Sequence, residues 1–134
     1  MTTATILTDL AGITYSLTAN TKAQRFQVWD EEFESFDLFP LIVVESGPEE
    51  DEPLVNLGSL VTFHPAIHLF AEDDTAANME AWRDDIRNAV MNNATLRNDV
   101  ISVAVESVAV SLSENRKLQH LRLQLNITFE ITHT

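Results

Sequence analysis

The chain of 134 residues contains no cysteine, which excludes a disulfide framework, thiolate nucleophiles and thiolate metal sites. It contains only three glycines, and no Gly-rich phosphate loop, GxSxG elbow or HExxH pair occurs in it. Basic residues are scarce, 8 Lys and Arg against 21 Asp and Glu, for a formal charge of −13 and a pI near 4.4. Gripping nucleic acid by phosphate neutralisation requires the opposite sign. No apolar run approaches the ~18 residues of a membrane span. The opening MTTATILTDLAG has no basic stretch and meets Asp9 early, so no secretory signal is expected and synthesis in a reducing cytoplasm is the default.

What is present is the composition of a globular chain, 45% hydrophobic and 22% charged. Its length suits one domain, residues 1–134, with a core that needs no staples. Ile6, Leu10, Ile13 and Leu17 recur at helical spacing, with Thr2 or Thr3 as cap and Gly12 and Thr14 as weak points. Arg25 to Trp29 reads as a short strand, and Asp30 to Phe39 as an irregular acidic–aromatic loop. Leu41 to Val44, an unbroken β-branched run ending at Gly47–Pro48, predicts a strand buried on both faces.

An acidic loop or hairpin insertion spans about 46–58. Its carboxylates alternate with prolines and lack the spacing of a calcium loop. The segment SLVTFHPAIHLF predicts a strand with Val61, Phe63, Ile67 and Leu69 on one face. Pro65 forces an edge or a bulge there. His64 and His68 stand four apart, which on a strand is roughly 13 Å and too far to share a metal. Both are expected on a half-exposed face.

The clearest helix follows, capped by Asp73, Asp74 or Thr75 and ending at Asn92–Asn93. Met79, Trp82, Ile86, Ala89 and Val90 form its apolar stripe, with Glu80–Arg83 and Asp84–Arg87 as pairs opposite. In VISVAVESVAVSL the apolar phase changes between Val105 and Val108. A bulge near Glu106–Ser107 would restore one apolar face; otherwise both faces are covered. Glu106 is also the one candidate for a buried carboxylate at a bulge. SENRK supplies the reversal. The last strand alternates without a fault from Leu121 to Ile131, roughly 34 Å, about twice the usual length.

These elements predict an α+β fold: a mainly antiparallel four- to five-stranded sheet with helices packed on one face, in the order α-(β)-β-β-α-β-β. The polar row Arg122, Gln124, Asn126, Thr128 and Glu130 of the last strand is either simply solvated or meets another subunit or a wet channel.

The order of features resembles the tail-terminator proteins of long-tailed bacteriophages. The likeness is carried by the N-terminal helix, FPLIVVES, the acidic insertion, VTFHPAIHLF, the helix MEAWRDDIRNAVMNN and two long terminal strands that end in LRLQLNITFEIT. These are patterns of residue type, not invariant chemical groups, so no functional residue carries over individually. The resemblance implies a virion protein of the tail–neck region, assembled in the host cytoplasm. It implies a homohexameric ring that stops tail-tube polymerisation and joins the tube to the head–tail connector protein. DNA would pass through its lumen without specific binding, and no catalytic residue, cofactor, metal or membrane would be involved. Six copies at −13 would carry about −78 formally (six times −13), a strong negative field. Glu49, Glu50, Asp51 and Glu52, with Arg122, Gln124, Asn126 and Thr128, are the candidate subunit or ring–ring contacts. Other phage neck or tail subunits, or a small dimeric α+β binding module, would show the same pattern.

Overall fold

A computed structural model of the chain describes residues 2–17, 21–24, 40–54, 58–72, 76–112 and 118–132. Among these the order is α1 (Thr3–Tyr15), β1 (Thr21–Gln24), β2 (Leu41–Glu45), β3 (Glu49–Pro53), β4 (Gly58–Phe63), β5 (Ala66–Glu72), α2 (Ala76–Met91), α3 (Ala94–Asp99), β6 (Ser102–Leu112) and β7 (Leu118–Thr132). The fold is α+β, as the patterns require, with seven strands described where four to five were expected. Two added strands, β1 and β3, are short, and the one strand expected over SLVTFHPAIHLF is divided into β4 and β5. β1 runs parallel beside β2, and β3 is the acidic insertion itself, a hairpin arm paired antiparallel to β4.

β7 organises the sheet. β6 covers one of its edges. The other edge is shared end to end by β5, from Glu72↔Leu118 to Ala66↔Gln124, and by β4, from Phe63↔Ile127 to Gly58↔Thr132. The offset between partners is the same in both halves, so residues 58–72 follow β7 as one line with a break at His64–Pro65. Pro65 has no N–H to give, yet its carbonyl accepts from Leu125 N–H at 2.9 Å. The expected proline irregularity is thus a gap of one donor in an otherwise continuous ladder.

β2 and β3 line the far side of that strand in the same end-to-end way, but their registers differ by one residue. The step falls at 46–48. There the backbone passes so close that a Cβ on Gly47 would lie 1.7 Å from the His64 carbonyl oxygen. His64 N–H donates to the Pro48 carbonyl at 3.0 Å and holds the crossing together.

Period two on β7 sends Leu121, Leu123, Leu125, Ile127 and Phe129 to one face, all buried. Val61, Phe63, Ile67, Leu69, Ile42 and Val44 share that face, and the helices cover it with Ile6, Leu10 and Ile13 of α1, Met79, Ile86 and Val90 of α2 and Leu96 of α3. Thr2 caps α1 by accepting from Thr5 N–H at 3.1 Å. Leu17 lies past the helix end but still packs on the core. β6 carries its register shift between Val105 and Ser107, so Val103, Val105 and Val108 all return to the core face.

Several details differ from the expectations. The long helix ends before Asn92–Asn93 as expected, but Asn93 also starts a further short helix: its side chain accepts from Leu96 N–H at 2.9 Å and caps α3, which buries Leu96. Arg83 pairs with its neighbour Asp84 at 3.2 Å rather than with Glu80, and no ion pair joins Asp84 to Arg87. An exposed pair of this kind pays side-chain entropy and is screened by solvent, so it contributes little. The strand expected at Arg25–Trp29, the loop 30–39, the caps Asp73 to Thr75 and the turn 113–117 lie outside the described residues.

Candidate interaction face

The sheet face away from the helices carries the candidate residues. Strand alternation puts the even residues of β4, β5 and β7 there, with the odd residues of β2. Its two halves differ. Toward β2 it is closed: Leu41, Val43, Ala66 and Phe70 are buried, as are Glu45 and His68. Toward β6 it is open, with Arg122 and Glu130 exposed and Gln124, Asn126 and Thr128 half-buried.

His68 is 3% exposed, which corrects the expectation of a half-exposed histidine. Its Nδ1 lies 2.6 Å from His120 Nε2, so one ring donates to the other. His120 stacks on Phe70 with ring centroids 4.5 Å apart. The other ring nitrogen of His68 stands 3.6 Å from a Glu45 carboxylate oxygen, beyond hydrogen-bonding distance. Burial, and then the nearby His120 and Arg122, lower the His68 pKa to about 3. His68 is therefore neutral at pH 7. Its closed surroundings depend on strands far apart in sequence, which its alternation with neighbours did not reveal.

The polar row of β7 is partly occupied from within. Gln124 donates its amide to the carbonyls of His64 and Pro65, at 2.9 and 3.1 Å, and accepts from Arg122 at 2.6 Å. It thereby satisfies carbonyls at the proline break. Asn126 donates to Glu106 at 2.9 Å, and His64 lies 3.5 Å from the same carboxylate. Glu106 does sit at the bulge, as expected, but its side chain is 40% exposed, so it is not a buried carboxylate. The bulge turns it onto this face, where it ties β6 to β7.

Glu49, Glu50, Asp51 and Glu52 stand together on β3, all exposed. Register joins the two candidate groups. Glu50, Thr62, Thr128 and Ser102 form one row across the sheet, and Glu52, Leu60 and Glu130 form the next. Glu52 and Glu130 thus stand roughly 10 Å apart across one intervening strand. The sequence patterns did not mark Glu45 or His120 as part of this face, because cross-strand pairing assembles them. Among the described residues no group of three or more His, Asp or Glu side chains is arranged to hold a metal ion. Among them, too, no helix is long and apolar enough to cross a membrane.

No family model and no curated protein matches the chain. Among solved structures, the fold is similar to a chain in the virion of a native gene transfer agent particle. That likeness has a TM-score of 0.58 at 13% identity and covers 90% of this chain and 84% of that one. At that identity it defines a shared fold over nearly the whole length of both chains.

Proposed function

We propose that this protein is a structural subunit of a phage-like particle, and within that class a tail terminator. It forms a homohexameric ring that ends the tail tube and presents its other side to the head–tail connector. The observation that supports this most is the end-to-end fold likeness to a chain of a gene transfer agent virion. The order of sequence elements adds the terminator assignment. In this reading the row Arg122, Gln124, Asn126 and Thr128 lies at or near a subunit joint, and Glu49 to Glu52 meet a neighbouring ring. The strong negative charge of the chain keeps DNA moving through the lumen without adhesion.

The test is assembly. Purified tail-tube protein polymerising alone gives tubes of indefinite length; added terminator should cap them and shorten the distribution in proportion to its concentration. Uncapped tubes would remove the terminator role. A stable dimer that never forms a larger ring would favour a small binding module instead.

A further inference from the structure

We infer that the outer edge of β6 receives the β1 edge of a second copy of this chain, joining neighbouring sheets head to tail. This rests on the ring reading above and names its joint. β6 borders the sheet: its inner edge is bonded to β7 along ten register pairs, and among the described residues no strand pairs with its outer edge. An open strand edge is a row of backbone donors and acceptors, so its natural partner is another extended strand.

The sheet's borders are treated differently. The acidic border, β3, is guarded in the usual ways: all five residues are exposed, four are carboxylates and the fifth is Pro53. β6 has no such guard. Its sequence SVAVESVAVSL contains no Lys, Arg or Pro. Its one charge, Glu106, is drawn onto Asn126 and His64 of its own sheet. Ile101, just before this strand, and Val110, near its far end, are 61% and 59% exposed. A long, Val-rich, unguarded edge left open would aggregate unless it has a partner.

Charge and register select that partner. Two β6 strands meeting antiparallel about their midpoint would set the two Glu106 bulges against each other, with like charges and a broken ladder at the centre. The β3 edge of a neighbour would bring four carboxylates beside β6. The β1 sequence TKAQ has no acid and one lysine, and its four residues match the unbroken run Ser102–Val105 that precedes the bulge. Among the described residues, the order β1-β2-β5-β7-β6 makes these two edges opposite borders of one sheet. Pairing them is therefore heterologous, the type of joint that forms a ring when the rotation between copies closes.

The chain lacks cysteine, so introduced thiols are the only ones present. Ala104→Cys is combined in turn with T21C, K22C, A23C and Q24C, the concentrated protein is oxidised, and products are sized under non-reducing conditions. The expected result is a ladder of linked copies for Ala104→Cys with at least one β1 cysteine, with none for Ala104→Cys combined with Glu50→Cys or Asp51→Cys. Ala104→Lys, at an exposed site, should leave the unfolding midpoint unchanged and lower the ring population at least tenfold. A ring that forms without β1–β6 linkage, or links through β3, overturns this joint and leaves the ring standing. Linkage by Ala104→Cys alone, as a dimer, overturns the head-to-tail arrangement. A chain that stays monomeric at every concentration overturns both the joint and the ring.

Discussion

Replacing Gly47 by alanine adds a single methyl group at a close backbone crossing in the sheet. Its Cβ would stand 1.7 Å from the His64 carbonyl oxygen, 2.6 Å from the His64 carbonyl carbon and 3.3 Å from Pro65 N. All three are backbone atoms, so no side-chain rotation relieves the contact. Restoring ordinary van der Waals separation requires the strands to part by roughly 1.5–2 Å. The His64 N–H to Pro48 carbonyl bond, now 3.0 Å, would not survive that displacement. Overpacking strain of about 1–3 kcal/mol and a stranded backbone donor at about 1–3 kcal/mol together give a loss of about 2–6 kcal/mol. Gly12→Ala is the internal control. No atom lies within 4 Å of a Cβ built there, and the site is inside α1, so alanine should stabilise by about 0.5–1 kcal/mol. Urea denaturation followed by circular dichroism measures both. A Gly47→Ala protein within 0.5 kcal/mol of the parent would refute the close crossing and the register step that depends on it.

Other substitutions and pH probe the remaining layers. Leu125→Ala removes a fully buried side chain from the centre of the β7 row and should cost about 2–5 kcal/mol in the same titration, with a smaller loss if the core collapses around it. Gln124→Met removes the side-chain donor of the His64 carbonyl and leaves the Pro65 carbonyl with Leu125 N–H alone, and a cost of about 1–3 kcal/mol is expected; an unchanged midpoint would show that water replaces the amide freely. His68 titrates at about 3 when folded and near 6.5 when unfolded. Between those values the unfolded chain binds the extra proton, so the contribution of His68 is complete above pH 6.5 and is lost as pH falls toward 3. His68→Gln should flatten the stability–pH curve over that window, and an unaltered slope would mean that other groups govern acid unfolding.

The elements with strict local periods were legible from the chain alone. Alternation along Leu121–Ile131 gave the long strand and its buried row, and the phase change between Val105 and Val108 located the bulge. The stripe from Met79 to Val90 marked the face of α2 that meets the sheet. Features produced by long-range pairing were not legible. EEDEP has almost no strand propensity of its own; pairing with β4 imposes its conformation. The division of one β7 edge between β4 and β5 follows from a shared register that no local window contains. For the same reason the meeting of Glu45, His68 and His120, from three strands, went unread. The α3 helix is only six residues long, too short for a period, although Asn93 three residues before Leu96 carries a capping signal.

The central claim, that copies of this sheet join into a closed annulus, is tested most directly by native mass spectrometry of the concentrated protein, alone and with tail-tube protein. A dominant species of six chains, about 90 kDa for subunits of 15.0 kDa (six times 15.0), is the expected result. Only monomer or dimer under both conditions would contradict it.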